Sequence, residues 1–336
     1  MRRRAPIAVS IAVLLAAGAL GAGRGPSTQV HEADVRRELS ALADDSMQGR
    51  MTGTVGATRA ARYIAEQMAA IGLTAAGDSG FFQRVPVGRL AQGRLVLEAT
   101  LGAPSDGVPR VPAVNVVGIL PGHDPVLRDS AVLVDAHYDH LGIGAPVHGD
   151  SIYNGADDDA SGTVAVLEIA RAMRAGPPPK RTIVFLATVG EEVGLLGTRW
   201  FVSHPVIPLQ RIEANLEIEM IGRPDALAGG RGHGWLTGYE RSTMGTMFAQ
   251  AGLPISPDRR PSQDFFMRSD NIAFARSGIP AHTLSSFNLH ADYHEPSDEV
   301  SRIDFVHVTT VIDAAARAVR ILADGPAPRW NPGGKP

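Results

Sequence analysis

Five short segments carry side chains able to hold a metal ion or move a proton: His137-Tyr138-Asp139-His140, Asp157-Asp158-Asp159, Glu191-Glu192, Glu219, and Asp292-Tyr293-His294-Glu295. Neutral imidazole and carboxylate are the nitrogen and oxygen donors that zinc accepts in tetrahedral or five-coordinate sites. In extended backbone, residues i and i+2 face the same side, so Asp139 can lie beside His137. A carboxylate there can accept the second ring N–H and fix the tautomer and aim of a ligating histidine. Adjacent glutamates project differently at a strand end, so one of Glu191 and Glu192 can bind metal while the other addresses a substrate. Two metals held about 3.5–4 Å apart in a hydrolytic site need a shared carboxylate, and the aspartate run supplies a candidate. Singly, each segment has an ordinary reading: aspartates before a helix are an N-cap signal, and a Glu-Glu pair is a solvated surface. What sets the five apart is that all fall at the ends of predicted strands or helices.

Short, β-branched apolar runs predict strands at residues 115–120, 131–134, 182–186, 215–218 and 280–286. Helical spacing predicts helices at 34–42, 56–71, 162–175 and 305–322, the third ended by Gly176-Pro177-Pro178-Pro179. Apolar strands separated by helices indicate an α/β fold with a sheet covered on both faces. In such sheets ligands gather beyond the carboxyl ends of the strands, and the five polar segments follow those ends.

Composition narrows the chemistry further. The 336 residues include no cysteine and 11 histidines, with 44% hydrophobic and 20% charged residues and a formal charge of -3. Without cysteine there is no disulfide, no thiolate nucleophile and no cysteine-ligated metal, so any metal is held by histidine and carboxylate. Mild acidity argues against a nucleic-acid surface. Arg2-Arg3-Arg4 followed by an uncharged, Ala-rich stretch resembles a secretory signal peptide over residues 1–22. Its loss would remove three arginines and no acid, turning -3 into -6. The expected organisation is a signal at 1–22, one domain at 23–325 and a flexible tail at 326–336. The mature protein is expected to be periplasmic or secreted, monomeric, and without stable membrane insertion.

The segments resemble those of the M28 family of zinc metallopeptidases, the co-catalytic aminopeptidase group. The resemblance is carried by residues 137–142, 154–162, 191–197, 220–223 and 292–298, with Gly49-Arg50-Met51-Thr52-Gly53 and Phe82-Gln83 similar to the family's lead-in. It extends over about residues 31–322. It implies a three-layer α/β/α sandwich around a mixed, mostly parallel sheet, and two co-catalytic zinc ions. His137 would bind one zinc and His294 the other, with Asp157 bridging and Asp158 following across an unusual peptide. Glu192 would be a ligand, Glu191 the general base, and Asp139 the partner of His137. Glu219 stands where the family usually has aspartate; it keeps the carboxylate one methylene further out, and Glu217 is the competing candidate. The implied activity is aminopeptidase hydrolysis of peptides with a free N-terminus, using a dimetal-bound water. A glutaminyl cyclase-like enzyme with one zinc and a non-catalytic metal-binding envelope protein are the alternatives. His140, His148, His282 and His290 are read as packing, hydrogen-bonding or substrate-side residues. Segments 235–239 and 265–267 are the candidate pocket walls.

Overall fold

The structure, a computed structural model, describes residues 30–98 and 108–336. The expected signal peptide lies outside the described residues. The chain opens with helices α1 (Glu32–Leu42) and α2 (Val55–Ile71). Thr54 begins α2 by accepting from Ala57 N, and Gly72 ends it at φ 86°, a left-handed conformation glycine adopts without strain. Strands β1 (Thr74–Ala75), β2 (Phe82–Arg84), β3 (Val87–Arg89), β4 (Leu95–Leu97), β5 (Arg110–Val111) and β6 (Val114–Leu120) follow. The central part comprises β7 (Ala131–His137), β8 (Gly142–Val147), β9 (Asp150–Tyr153), α3 (Gly162–Ala175), β10 (Thr182–Thr188), α4 (Leu196–Ser203) and β11 (Ile212–Ile218). The chain closes with β12 (Gly234–Leu236), α5 (Met244–Gln250), β13 (Ile255–Pro257), α6 (Asn271–Arg276), β14 (Ala281–Ser285) and α7 (Phe305–Asp324).

Nine strands form the main sheet in the order β1-β6-β10-β7-β11-β14-β12-β13, with β2 also on β6. At its centre β10, β7, β11 and β14 run parallel, while β6 and β12 join antiparallel on either side. Alternation along β7 shows why the sheet is covered twice. Val132, Val134 and Ala136 face one layer with Ile64 of α2, Leu167 of α3 and Val311 of α7. Ala131 and Leu133 face the other with Phe201 of α4 and Phe274 of α6. Strands buried on both faces must be apolar almost continuously, which is the pattern the sequence shows. The result is the expected α/β/α sandwich on a mixed, mostly parallel sheet.

All five predicted strands are present. The one that matters most is longer than predicted: β7 continues through Asp135 to His137, because its polar residues face a polar end of the sheet. The small β4-β3-β5 sheet, the β8–β9 hairpin and the short strands β12 and β13 were not legible as strands. Residues 326–336, expected as a tail, lie against the body: Trp330 Nε1 donates to Gly278 O (2.9 Å) and Asn331 N to Arg241 O (2.8 Å). Among the described residues no helix is long and apolar enough to cross a membrane.

Candidate metal centre

His137 is the last residue of β7, so pleating sends its ring and that of Tyr138 to opposite sides; the Tyr138 hydroxyl donates to Val114 O (2.7 Å). His137 Nδ1 donates to the backbone carbonyl of Asp139 (3.1 Å), and its Nε2 lies 3.3 Å from Asp158 Oδ1. The Asp139 carboxylate sits 3.9 Å from that Nδ1. Its hydrogen bonds come instead from Thr52 Oγ1 (2.8 Å) and Glu191 N (3.2 Å). Asp139 therefore fixes the His137 ring through its main chain and the Glu191 turn through its side chain.

The three aspartates separate sharply. Asp157, the expected bridge, turns away from His137: its carboxylate accepts from Gly222 N (2.7 Å) and His290 Nε2 (2.9 Å). Asp158 takes the central place, with Oδ2 3.2 Å from His294 Nε2 and 3.8 Å from His140 Nδ1. Asp159 Oδ1 accepts from Gly162 N at the head of α3 (2.9 Å) and from Met220 N (3.0 Å). The Asp158–Asp159 peptide is cis, one position later than expected. The physical reason for the shift is Asp298, which accepts from the main-chain N–H of Asp157 and Asp158 (3.0 Å each). That anchor sets which carboxylate points inward.

Glu191 and Glu192 lie in the turn between β10 and α4. Asn115 holds this turn, donating to Gly197 O (2.9 Å) and accepting from Val189 N (3.2 Å). A methyl group on Gly197 would overlap Asn115 Oδ1 and Val189 O. Glu192 Oε1 accepts from His140 Nδ1 (2.8 Å), and Oε2 lies 3.3 Å from His294 Nε2. Glu219, just beyond β11, joins His137 and Asp158 in one donor set; His140, Asp158 and Glu192 form a second. In each set the donor atoms lie within 4.8 Å of one another, and Asp158 belongs to both. His294, at φ 59° and stacked on Tyr293 (ring centroids 3.8 Å apart), adds a further imidazole to the second set.

His140 and His290, read as packing, hydrogen-bonding or substrate-side residues, hydrogen-bond to Glu192 and Asp157, partners the sequence did not specify. It also gave no contact to Arg50. That fully buried side chain donates to the carbonyls of Leu42 (2.9 Å), Tyr138 (2.7 Å), Asn154 (2.6 Å) and Gly155 (2.9 Å), stitching two loops of the centre together. Glu217, the competitor for Glu219, points below the centre. It accepts from Ser269 Oγ (2.5 Å), the N–H of Asp270 (3.0 Å) and Asn271 (2.9 Å), and Thr283 Oγ1 (2.6 Å), at the head of α6.

So much carboxylate in so little water costs free energy. Burial, then neighbouring Glu217, pushes Glu219 up to about 8. Burial also raises Glu191 well above the carboxylate range against the pull of His137, with Glu219 and Asp270 adding to the rise. Burial opposes charge on His294, but Asp158 and Glu192 carry it up to about 10. Glu192 is held low despite its burial and Asp158, by His140 and His294. Buried His137 Nε2 and His140 Nε2 have no hydrogen-bond partner. The orphaned His137 Nε2, 3.3 Å from Asp158 Oδ1 among concentrated carboxylate, belongs to a donor set that fits zinc.

A pocket beside the centre is walled by Met220, Trp235, Phe265, Phe287 and Tyr293, with Thr237, Thr283 and Ser285 between them. Trp235 and Thr237 from one candidate wall are there; from the other only Phe265 is, since Phe266 packs toward Trp330. A larger cavity of about 400 Å³ opens between α2 and strands β2, β3, β5 and β6. It contains none of the centre's donors.

Imidazole and carboxylate donors at the carboxyl edge of a parallel α/β/α core define a metallohydrolase-type site. Residues 115–319 match the model of peptidase family M28, and the chain belongs to that family. Curated relatives include leupeptin-inactivating enzyme 1 of Streptomyces exfoliatus, 30% identical over 56% of this chain and 38% of that protein. Another is aminopeptidase YwaD of Bacillus subtilis, 25% identical over 61% of this chain and 44% of that one. The chain thus matches less than half the length of each. The zinc aminopeptidase BSAP from Bacillus subtilis shares the fold at a TM-score of 0.65, with 17% identity over 89% of this chain and 97% of that chain. Porphyromonas gingivalis glutaminyl cyclase does so at 0.64, with 14% identity over 87% and 98%.

Proposed function

We propose that this chain is a zinc-dependent aminopeptidase that acts, as an exported monomer, on peptides with a free N-terminus. The observation that carries the reading is Asp158, shared between two donor sets while the adjacent Glu191 belongs to neither. His137, Asp158 and Glu219 would hold one ion, and Asp158, Glu192 and His294 a second, with His140 donating to Glu192. Zinc, when bound, supplies a Lewis acid for the scissile carbonyl and lowers the pKa of water. Glu191, its main chain pinned to Asp139, takes the proton of the attacking water and returns it to the leaving amine. The amine departs neutral and the acyl carbon gains the hydroxyl, so the protons balance. Surplus carboxylate around the centre attracts the substrate's ammonium group, which favours removal of residues from the N-terminus.

Substitution Glu191→Gln is expected to retain zinc, counted by elemental analysis, while turnover of aminoacyl-nitroanilides falls about 10²–10⁴-fold. Turnover near wild type would show that Glu191 is not the base. The likeness in fold to a glutaminyl cyclase supports a second reading, cyclisation of an N-terminal glutamine at one zinc. Its signature is one tightly held ion per chain and release of ammonia from Gln-peptides.

A further inference from the structure

The arginines around the centre are spoken for, with one exception. Arg223 pairs with Asp292 (2.5 Å) and Asp298 (3.1 Å), Arg260 with Asp225 (2.6 Å), and Arg231 with Asp304 (2.7 Å). Arg268, between the turn at Phe265–Met267 and α6, lines the pocket itself. Among the described residues its side chain has no ion pair and no hydrogen bond. Its guanidinium carbon rests 5.2 Å from the centre of the Phe265 ring. It also lies close enough to act electrostatically on Tyr293, the ring stacked on His294.

An unpaired surface arginine is ordinary on its own. This one is laid on an aromatic wall of the candidate substrate pocket, where cation–π contact limits its motion. The other charged side chains on that lining, Asp158, Glu191, Glu192, Glu219 and His294, belong to the metal centre and its base. The ions would hold Asp158, Glu192 and Glu219, which leaves Arg268 as the cationic side chain on that lining free to read negative charge on a bound molecule. A guanidinium offers a planar fork of donors matched to a carboxylate.

Resting on the aminopeptidase reading, we propose that Arg268 selects substrates bearing a carboxylate one side-chain length from the scissile bond. That carboxylate is either the acidic side chain of the N-terminal residue or the free C-terminus of a dipeptide.

Two matched pairs separate the sources on the zinc-loaded protein: Glu- against Gln-nitroanilide, and Leu-Gly against Leu-glycinamide. Wild type should prefer the charged member of one pair, and that pair identifies the source. Arg268→Met, which keeps an apolar stem on Phe265, should raise KM for the charged member about tenfold or more with kcat little changed. The uncharged member should stay within about twofold, and Arg268→Lys should recover part of the loss. No preference in either pair, or an equal loss on all four substrates, overturns the proposal. Wild type inactive on all four overturns the aminopeptidase reading and this proposal with it.

Discussion

Three adjacent carboxylates, Asp157, Asp158 and Asp159, have three environments, and hydrogen bonds rather than residue type decide which one faces the centre. The Asp157 carboxylate accepts from Gly222 N and His290, that of Asp159 from two main-chain donors, and that of Asp158 faces imidazoles alone. The two nearly isosteric changes Asp158→Asn and Asp157→Asn should therefore part company. Asp158→Asn is expected to lower bound zinc per chain, because a neutral amide replaces a carboxylate common to both donor sets. Asp157→Asn should keep the metal and lose about 1–3 kcal/mol of stability, the cost of disturbing buried charge-assisted hydrogen bonds. Elemental analysis together with thermal melts reads both, and loss of zinc in Asp157→Asn alone would reverse the assignment. This is also where the sequence stopped being legible. His137, Glu191, Glu192, Glu219 and His294 stood out as candidates by type and by their place after strands, while their separate roles came only from the family resemblance. Register within a run of identical residues depends on Asp298, some 140 positions away, and no local pattern carries that.

The elements were the most legible level, because strands buried on both faces and helices with one apolar stripe leave strong periodic signals. The predicted helices at 162–175 and 305–322 correspond to α3 and α7. The small β4-β3-β5 sheet escaped because strands of two or three residues with Gly, Arg and Pro neighbours have no period to read. Packing between elements was not legible at all, and the contact of α1 with α3 is an example. Glu38 of α1 is buried against Glu168 and Arg171 of α3, with an ion pair to Arg171. Burial, with Glu168 adding to it and Arg171 opposing, raises Glu38 from near 4.5 to about 7. The folded protein thus holds this proton more tightly than the unfolded chain. The contribution to stability is full below about pH 4.5 and is lost as pH rises through 7, on the order of 3 kcal/mol at most. Glu38→Gln, which cannot ionise, should flatten the decline in Tm between pH 5 and pH 8. Parallel Tm curves for the variant and wild type would remove Glu38 as its source.

At the scale of the whole molecule, the centre gathers donors from the end of β7, the turn before α3, the β10–α4 turn, the end of β11 and the loop beyond β14. These segments are brought together only by the folded sheet, so the unfolded chain cannot offer the same site, and ion binding becomes folding free energy. The metal-free fold bears crowded buried carboxylates, with Glu219 pushed up to about 8 and Asp270 to about 7, each chiefly by burial. Bound cations relieve that repulsion directly. For one ion at a hundredfold excess over its Kd, the stabilisation is about 2.7 kcal/mol, a rise in Tm of roughly 4 °C for a domain of this size. Chelator-treated protein should therefore melt lower and recover on adding zinc. The effect should persist in Asp157→Asn and largely vanish in Asp158→Asn, since only the latter removes a donor common to both sets. A wild-type Tm indifferent to zinc, at concentrations where elemental analysis finds the ion bound, would mean that zinc does not bind at this fold-assembled centre.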